Sequence, residues 1–482
     1  MKRIPKKLTY LLVAVLILAG CKRILDVDTV SSIDSSSYWK AEGDVDGYMT
    51  GIYDDLRELM NSSYHFEDRG DAFVAGLEGS VTTAWEQNLN NQNAPSWLGH
   101  YNLIYHCNLL LKHTPGISFV QAAKKNRLMA EAMTVRAWTY FLLTKSWNNV
   151  PLVLDAIESD NYVMPSRSAP ADVMAQIIKD LDAAIALFPE EGFVNKNRMS
   201  KPFAYALKAD ALLWKFKVQD GSNADLEAAL DAVNKPLAQT TLLDSFALVF
   251  STANKLNSEI VLGLRFMRDE KSDHYGSRMK PRDIFVASAS NKADVPYAIN
   301  GARSVYAPSP KIEATFNENP TDKRKAASII RALNPNGTTI GVFDNKFRGT
   351  QFADDRFFDN DIILYRHGGL LLTKAEILAA LNRPNEAITE LNKVRKRANI
   401  GDYTGATTQV AVEKEVLKER SRELYFEFSR WHDLVRAHFH GTINIYTEVP
   451  NLAGKSVPLF FPIPRTQIDI NKNLTQTEGY PN

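Results

Sequence analysis

The sequence predicts an all-α fold, and three observations carry that prediction. Apolar residues recur at helical spacing: Tyr205, Ala209, Leu212 and Phe216 fall at i, i+4, i+7 and i+11 on one face. Consecutive helical segments are dense in small residues and joined by short connections. Ala204, Ala206, Ala209 and Ala211 let a second helix approach closely. The helical pattern stops between residues 240 and 361, where Pro281, Pro296, Pro308, Pro310, Pro320 and Pro335 sit among many Asn and Ser. Long irregular stretches in a helical protein are commonly its working surface.

The first element is a targeting segment. Lys2, Arg3, Lys6 and Lys7 precede an apolar run over 8–18. That run is shorter than the about 20 residues a membrane-spanning helix needs, and it has the form of a secretory signal peptide. It closes on Leu18-Ala19-Gly20-Cys21, which resembles the bacterial lipobox. The expectation is removal of residues 1–20 and lipidation of Cys21; the other reading is an ordinary signal peptide with an incidental cysteine. A lipoprotein anchor with two or more acyl chains is a stable tether. With Cys21 lipidated, Cys107 is the remaining thiol, so stability must come from packing.

Residues 21–240 and 241–482 are expected to form one compact domain of two parts. In the first, helices are predicted over 48–60, 102–112 and 125–147, the last ending at the Asn148-Asn149-Val150-Pro151 turn. The next runs over 170–188, with Pro170 in the first turn, where proline is tolerated, and Pro189 as its stop. Ser200 is a good N-cap for the helix that follows. A helix over 225–234 is stopped by Pro236. The succession of pairs resembles tetratricopeptide packing, in which each pair buries its face against the next. In the second part, short strands are expected at 259–265 and 338–343. A helical hairpin over 370–381 and 385–398 turns at Asn382-Arg383-Pro384, and a long helix spans 412–436. The tail, 456–482, reads as extended and tied down by Phe460, Phe461, Ile463 and Tyr480.

The charge balance excludes some functions. The chain has 57 basic and 56 acidic groups, and the signal segment holds four of the basic ones and no acidic ones. The remainder is nearly neutral, with no electrostatic footprint for nucleic acid. Nucleophile elbow, phosphate loop, zincin and dinucleotide signatures are all missing. Arg420, Glu423, Glu427 and Arg430 share one face of the predicted 412–436 helix, a spacing that reads as a compensated ion-pair ladder rather than an acid/base pair. His432, His438 and His440 lack the i+3 or i+4 spacing of helical metal ligands. Asp354-Asp355 and Glu190-Glu191 read as solvated loop carboxylates. Neither catalytic residues, nor a metal, nor a cofactor is expected.

Among the seven tryptophans, Trp138, Trp147, Trp214 and Trp431 lie in helical patterns and Trp39 and Trp97 at helix starts, all expected to pack. Trp85 stands apart, in a polar run that includes Asn88 and Asn90. An aromatic ring among amides suits a sugar: the ring stacks on a C–H face, and amides donate to and accept from hydroxyls. Amides also lose less than charges when desolvated under a neutral ligand. Composition leaves two readings open, a ligand platform and a ring that anchors its own loop. Tyr64, Tyr275, Tyr297 and Tyr306 are further candidates from irregular segments.

Five segments in order resemble the SusD/RagB family. They are Leu25-Asp26-Val27 with Tyr38-Trp39 and Gly51-Ile52-Tyr53; the helix from Glu131 through Arg136-Ala137-Trp138 to Tyr140-Phe141, leading to Val150-Pro151-Leu152; Leu391-Asn392-Lys393-Val394-Arg395-Lys396-Arg397-Ala398; Glu419-Arg420 through Arg422-Glu423-Leu424 to Arg430-Trp431 and Asp433-Leu434; and Phe461-Pro462-Ile463-Pro464 with Gly479-Tyr480. Glu427-Phe428-Ser429 departs from the family's usual Glu-Gly-His, and Gln476-Thr477-Glu478 from the commoner Gln-Asn-Pro. The resemblance implies a tetratricopeptide-like helical body with an irregular ligand face. It also implies a non-enzymatic, lipid-anchored outer-membrane protein that captures oligosaccharides for a TonB-dependent transporter, and it favours the ligand reading of Trp85. A peptide-binding member of the same uptake system, a surface glycoside hydrolase and a helical-repeat scaffold are the alternatives.

Overall fold

The computed structural model describes residues 38–62, 65–158 and 162–481. Cys21, the 1–20 signal, the Leu25-Asp26-Val27 segment and Tyr64 lie outside the described residues. Helices of ten residues or more are labelled here α1 (Glu42–Ser62), α2 (Leu98–His113), α3 (Ala122–Trp147), α4 (Pro170–Leu187), α5 (Lys201–Val218), α6 (Asn223–Leu237), α7 (His367–Ala380), α8 (Pro384–Arg397), α9 (Gln409–Glu423) and α10 (Arg430–Phe439). They pack largely in sequence order, α2 on α3, α3 on α4, α5 on α6 and α7 on α8, with α7 also against α6 and α9.

Local chemistry sets most of these boundaries. Ser200 Oγ accepts from the Phe203 N–H at 3.3 Å, with Pro202 in the first turn of α5. Ser222 and Asp225 form a capping box at the start of α6. Contrary to the expected stop at Pro236, that helix runs through it: the proline lies in its last turn, and α6 ends one residue later. Proline lacks the N–H that would bond the carbonyl four residues back, and the helix does not continue past it for more than one residue.

The body is mostly helical rather than purely so. Four two-stranded antiparallel ribbons occur among the described residues. β1 (Phe73–Ala75) pairs with β3 (Tyr306–Pro308), β2 (Ile260–Leu264) with β8 (Ile362–Arg366), β4 (Ile329–Leu333) with β5 (Thr339–Asp344), and β6 (Thr350–Gln351) with β7 (Arg356–Phe357). Both expected strands are present, as β2 and β5. The buried β2–β8 ribbon places Ile260 opposite Arg366 and feeds directly into α7.

The predicted 412–436 helix is broken. α9 stops at Glu423 and α10 starts at Arg430, with left-handed backbone at Phe426 (φ 62°) and Phe428 (φ 59°) between them. The reversal buries Tyr425 and Phe426 as well as Trp431. It also replaces the expected ladder. Arg366 Nη1 and Nε bind Glu259 and Glu427 at 2.8 Å, and Nη1 meets Glu423 at 2.5 Å. Arg420 pairs with Asp433 and Arg430 with Asp71 instead. Gly368 is required beside this cluster, since a Cβ there would lie 2.6 Å from Glu423 Oε1. The loop carboxylates are paired too: Asp354 with Arg268, Glu190 with Arg127 and Glu191 with Lys201, while Asp355 accepts from the Ile299 and Asn300 N–H groups.

Trp97, Trp138, Trp147, Trp214 and Trp431 are core residues, and half-buried Trp39 stacks on His113 at 5.0 Å. In the tail Phe461 and Ile463 are buried, and the Phe461 N–H donates to Ser146 O. One more helical turn and a half, Arg465–Ile470, interrupts the expected extended run.

Candidate functional site

The Trp85 loop leaves β1 and returns to α2, and its polar side chains knot it. Gln87 is buried in left-handed backbone (φ 57°). Its amide clasps Arg69 twice, accepting from Nε at 2.8 Å and donating to the backbone carbonyl at 2.9 Å. Thr82 Oγ accepts from the Trp85 N–H and donates to Asp68. The half-buried Trp85 ring spends its indole N–H inward, on Phe73 O at 2.8 Å. Asn451 Nδ2 donates to the Trp85 carbonyl. Anchoring and a partly exposed ring therefore coexist at this residue. Asn88 is exposed, whereas the Asn90 side-chain carbonyl accepts from the Gln92 N–H within the loop.

Two candidate tyrosines are corrected. Tyr275 is buried against Phe347, Phe426 and Phe428, and its hydroxyl donates to Phe426 O at 2.7 Å. Tyr306 is buried in β3, with its hydroxyl 3.0 Å from Asp68. Neither ring is free to meet a ligand; both hydroxyls are consumed by partners distant in sequence. Tyr297 is half-buried, with the Lys292 ammonium 4.7 Å from its ring centroid, and packs on a small satellite cluster around Val286, Val295 and Phe343. It does not join Trp85 in one site.

Beneath this loop the carboxylates are displaced from their ordinary range. Burial raises Asp68 to about 7 and Glu67 to about 8, although each accepts hydrogen bonds that favour its charged form. Asp71, one turn on, goes the other way, held far down by Arg430 and Lys311 despite its burial.

Beside the Trp85 loop lies a cleft of about 920 Å³, built from the α3–α4 connection, the end of α10 and the C-terminal tail. Lys455, on its rim, donates to Glu86 O and so ties the cleft to the loop. Phe439, 47% exposed, and Phe460 present tilted rings 5.8 Å apart. Tyr446 adds a half-buried ring whose hydroxyl donates to Val457 O. Asn148, in left-handed backbone after α3, and Asn149 supply amides. This surface is not legible in the sequence. The Asn148-Asn149 pair was legible only as a turn and Phe460 only as a tail anchor, because three distant segments assemble the cleft.

Comparison with known proteins places the chain. Residues 25–213 match a family model described as starch-binding associating with outer membrane, and residues 325–480 match that of the SusD family. The chain belongs to the SusD-like family. It is 26% identical to SusD-like protein P38 of Formosa agariphila, over 98% of each chain. The starch-binding protein SusD of Bacteroides thetaiotaomicron is 35% identical over 127 residues, 25% of this chain and 22% of that one. The crystal structure of a SusD superfamily protein from Bacteroides fragilis superposes with a TM-score of 0.82 at 25% identity, covering 92% of this chain and all of that one. The SusD-like matches bracket the irregular middle, 214–324, which neither family model covers. That stretch carries β3 and the segment bearing Tyr275 and Tyr297.

Proposed function

We propose that this protein is a cell-surface, lipid-anchored glycan-binding protein that captures oligosaccharides and hands them to a TonB-dependent outer-membrane transporter. The observation that carries the reading is the match of residues 25–213 to a family described as starch-binding associating with outer membrane. The Trp85 loop and the adjoining cleft support it, with partly exposed rings beside amides, the chemistry that grips a sugar's C–H face and hydroxyls. The charged clusters support binding rather than turnover: Glu423, Glu427 and Asp433 are each buried against arginines and serve packing. In this reading Cys21 carries the lipid, and residues 21–240 and 241–482 act as one body.

Calorimetric titration against a glycan panel and an oligopeptide mixture tests it. Saturable heat with a glycan and none with peptides is expected. Binding of peptides alone would assign the peptide-capturing role instead. Release of shorter products from a bound polysaccharide would make the protein a hydrolase. Co-purification of a large β-barrel from gentle detergent extracts tests the transporter partnership.

A further inference from the structure

The 920 Å³ cleft has an unbalanced charge. Many of the buried arginines meet carboxylates: Arg136 with Asp180, Arg324 with Asp322, Arg366 with Glu259, Arg436 with Glu376. Arg167, in the cleft wall, does not. Its Nε donates to Asn149 O (2.7 Å), Nη1 to Thr475 O (3.0 Å), and Nη2 to Trp147 O (3.1 Å) and Thr477 Oγ (3.2 Å). All four acceptors are neutral. Arg69 lies behind the cleft-lining Pro458 and repeats the pattern, donating to Gln87 Oε1, Leu459 O and Pro458 O, with its guanidinium 4.5 Å from the Trp431 ring centroid. Burial lowers both guanidinium pKa values to about 10, which leaves each charged at neutral pH. Lys455 adds a third cation at the rim. Against these, Glu478 is the acidic residue in the lining. A concave wall with excess positive charge focuses an attractive field on anions.

We propose that this cleft binds a saccharide bearing a carboxylate, with the acid group toward Arg167 and Lys455 and a sugar ring against Phe439 and Phe460. A guanidinium has five N–H donors and an ammonium three. One remains on Arg167 and two on Lys455 after their protein contacts. The inference rests on the glycan-binding reading and narrows it to an acidic class.

The test is calorimetry on the detergent-solubilised full chain, with oligosaccharides of galacturonate, mannuronate and glucuronate as probes and maltohexaose as the neutral control. Arg167 clasps two segments, 147–149 and 475–477, so its variants risk misfolding. The exposed positions Phe439 and Lys455 carry the test. At least one uronate oligosaccharide is expected to bind more tightly than maltohexaose and to weaken as salt is raised. Phe439→Ala is expected to weaken it about tenfold and Lys455→Gln up to about fivefold. Uronate binding that neither variant changes would overturn the site. Binding of maltohexaose without any uronate would overturn the acidic class and leave glycan binding standing. Binding of no saccharide at all would overturn both readings.

Discussion

Arg420 and Asp433 form a two-pronged ion pair, Nε to Oδ2 at 2.8 Å and Nη2 to Oδ1 at 2.9 Å, across the break between α9 and α10. In one continuous helix these residues would stand about 20 Å apart along the axis, at 1.5 Å per residue. The pair therefore exists only because the chain reverses at 424–429. Both side chains are buried, and the next carboxylate to Arg420, that of Glu376, is 4.0 Å away and already paired with Arg436, so removing Asp433 leaves the Arg420 guanidinium poorly compensated. Asp433→Ala is expected to cost about 3–5 kcal/mol, read from chemical denaturation. Arg420→Met combined with Asp433→Leu should recover part of that loss, since no lone buried charge remains. A double variant as unstable as Asp433→Ala would mean that the pair does not act as a unit.

That break also separates what is decided locally in the sequence from what is decided by distant contacts. The Ser200 cap, the 205/209/212/216 face and the Asn382-Arg383-Pro384 turn were legible because each is decided within a few residues. The reversal was not. Leu424, Phe428 and Trp431 satisfy a helical stripe as they stand, and what overrides it is Arg366, about sixty residues away, drawing in both Glu423 and Glu427. The candidate tyrosines failed for the same kind of reason. Tyr275 finds Phe426 O and Tyr306 finds Asp68, partners 151 and 238 residues distant. Family resemblance reached the architecture, because its motifs are ordered along the chain. It did not reach the cleft, which depends on where residues 148–167, 439–460 and 475–479 meet.

Glu67 gives a pH prediction. Its Oε1 accepts from the Ser429 N–H at 2.9 Å, yet burial, reinforced by Asp433, raises its pKa to about 8. An unfolded glutamate titrates near about 4.3. The folded state therefore holds a proton between about pH 4.3 and 8 that the unfolded chain has released. The stability tied to that proton is complete below the unfolded pKa and is lost as pH rises through the folded one. Glu67→Gln keeps an acceptor for Ser429 and cannot ionise. Relative to this variant, the wild type should lose stability on the order of a few kcal/mol as pH rises from about 5 to 8. A difference that stays flat across that window would show that Glu67 titrates normally.

Cys21 gives a fractionation prediction. The Leu18-Ala19-Gly20-Cys21 sequence motivates it. Cys21→Ser should either release the protein into the soluble fraction or leave the signal uncut, visible as a higher apparent mass. The signal's apolar run is too short for a stable bilayer span, and among the described residues no helix is long and apolar enough to replace it. A variant that still sediments with outer membrane at the processed mass would place the anchor elsewhere.

Trp85 decides between the two readings its loop leaves open. Its indole N–H is committed to Phe73 O, which fixes the ring's orientation, while the ring stays only half-buried. A fixed, partly exposed ring pays little entropy on meeting a sugar, which favours a platform. If it is one, Trp85→Ala should weaken glycan binding by about 2 kcal/mol, roughly thirtyfold. The lost hydrogen bond should cost only about 1 kcal/mol of stability. Trp214, fully buried on α5, is the control: Trp214→Ala should cost about 3–5 kcal/mol and leave ligand affinity unchanged in whatever folds. Titration of each variant beside its thermal melt separates the outcomes. A Trp85→Ala protein that binds like wild type but melts as low as Trp214→Ala makes the ring a loop anchor, and glycan contact then falls to Phe439, Tyr446 and Phe460 in the neighbouring cleft.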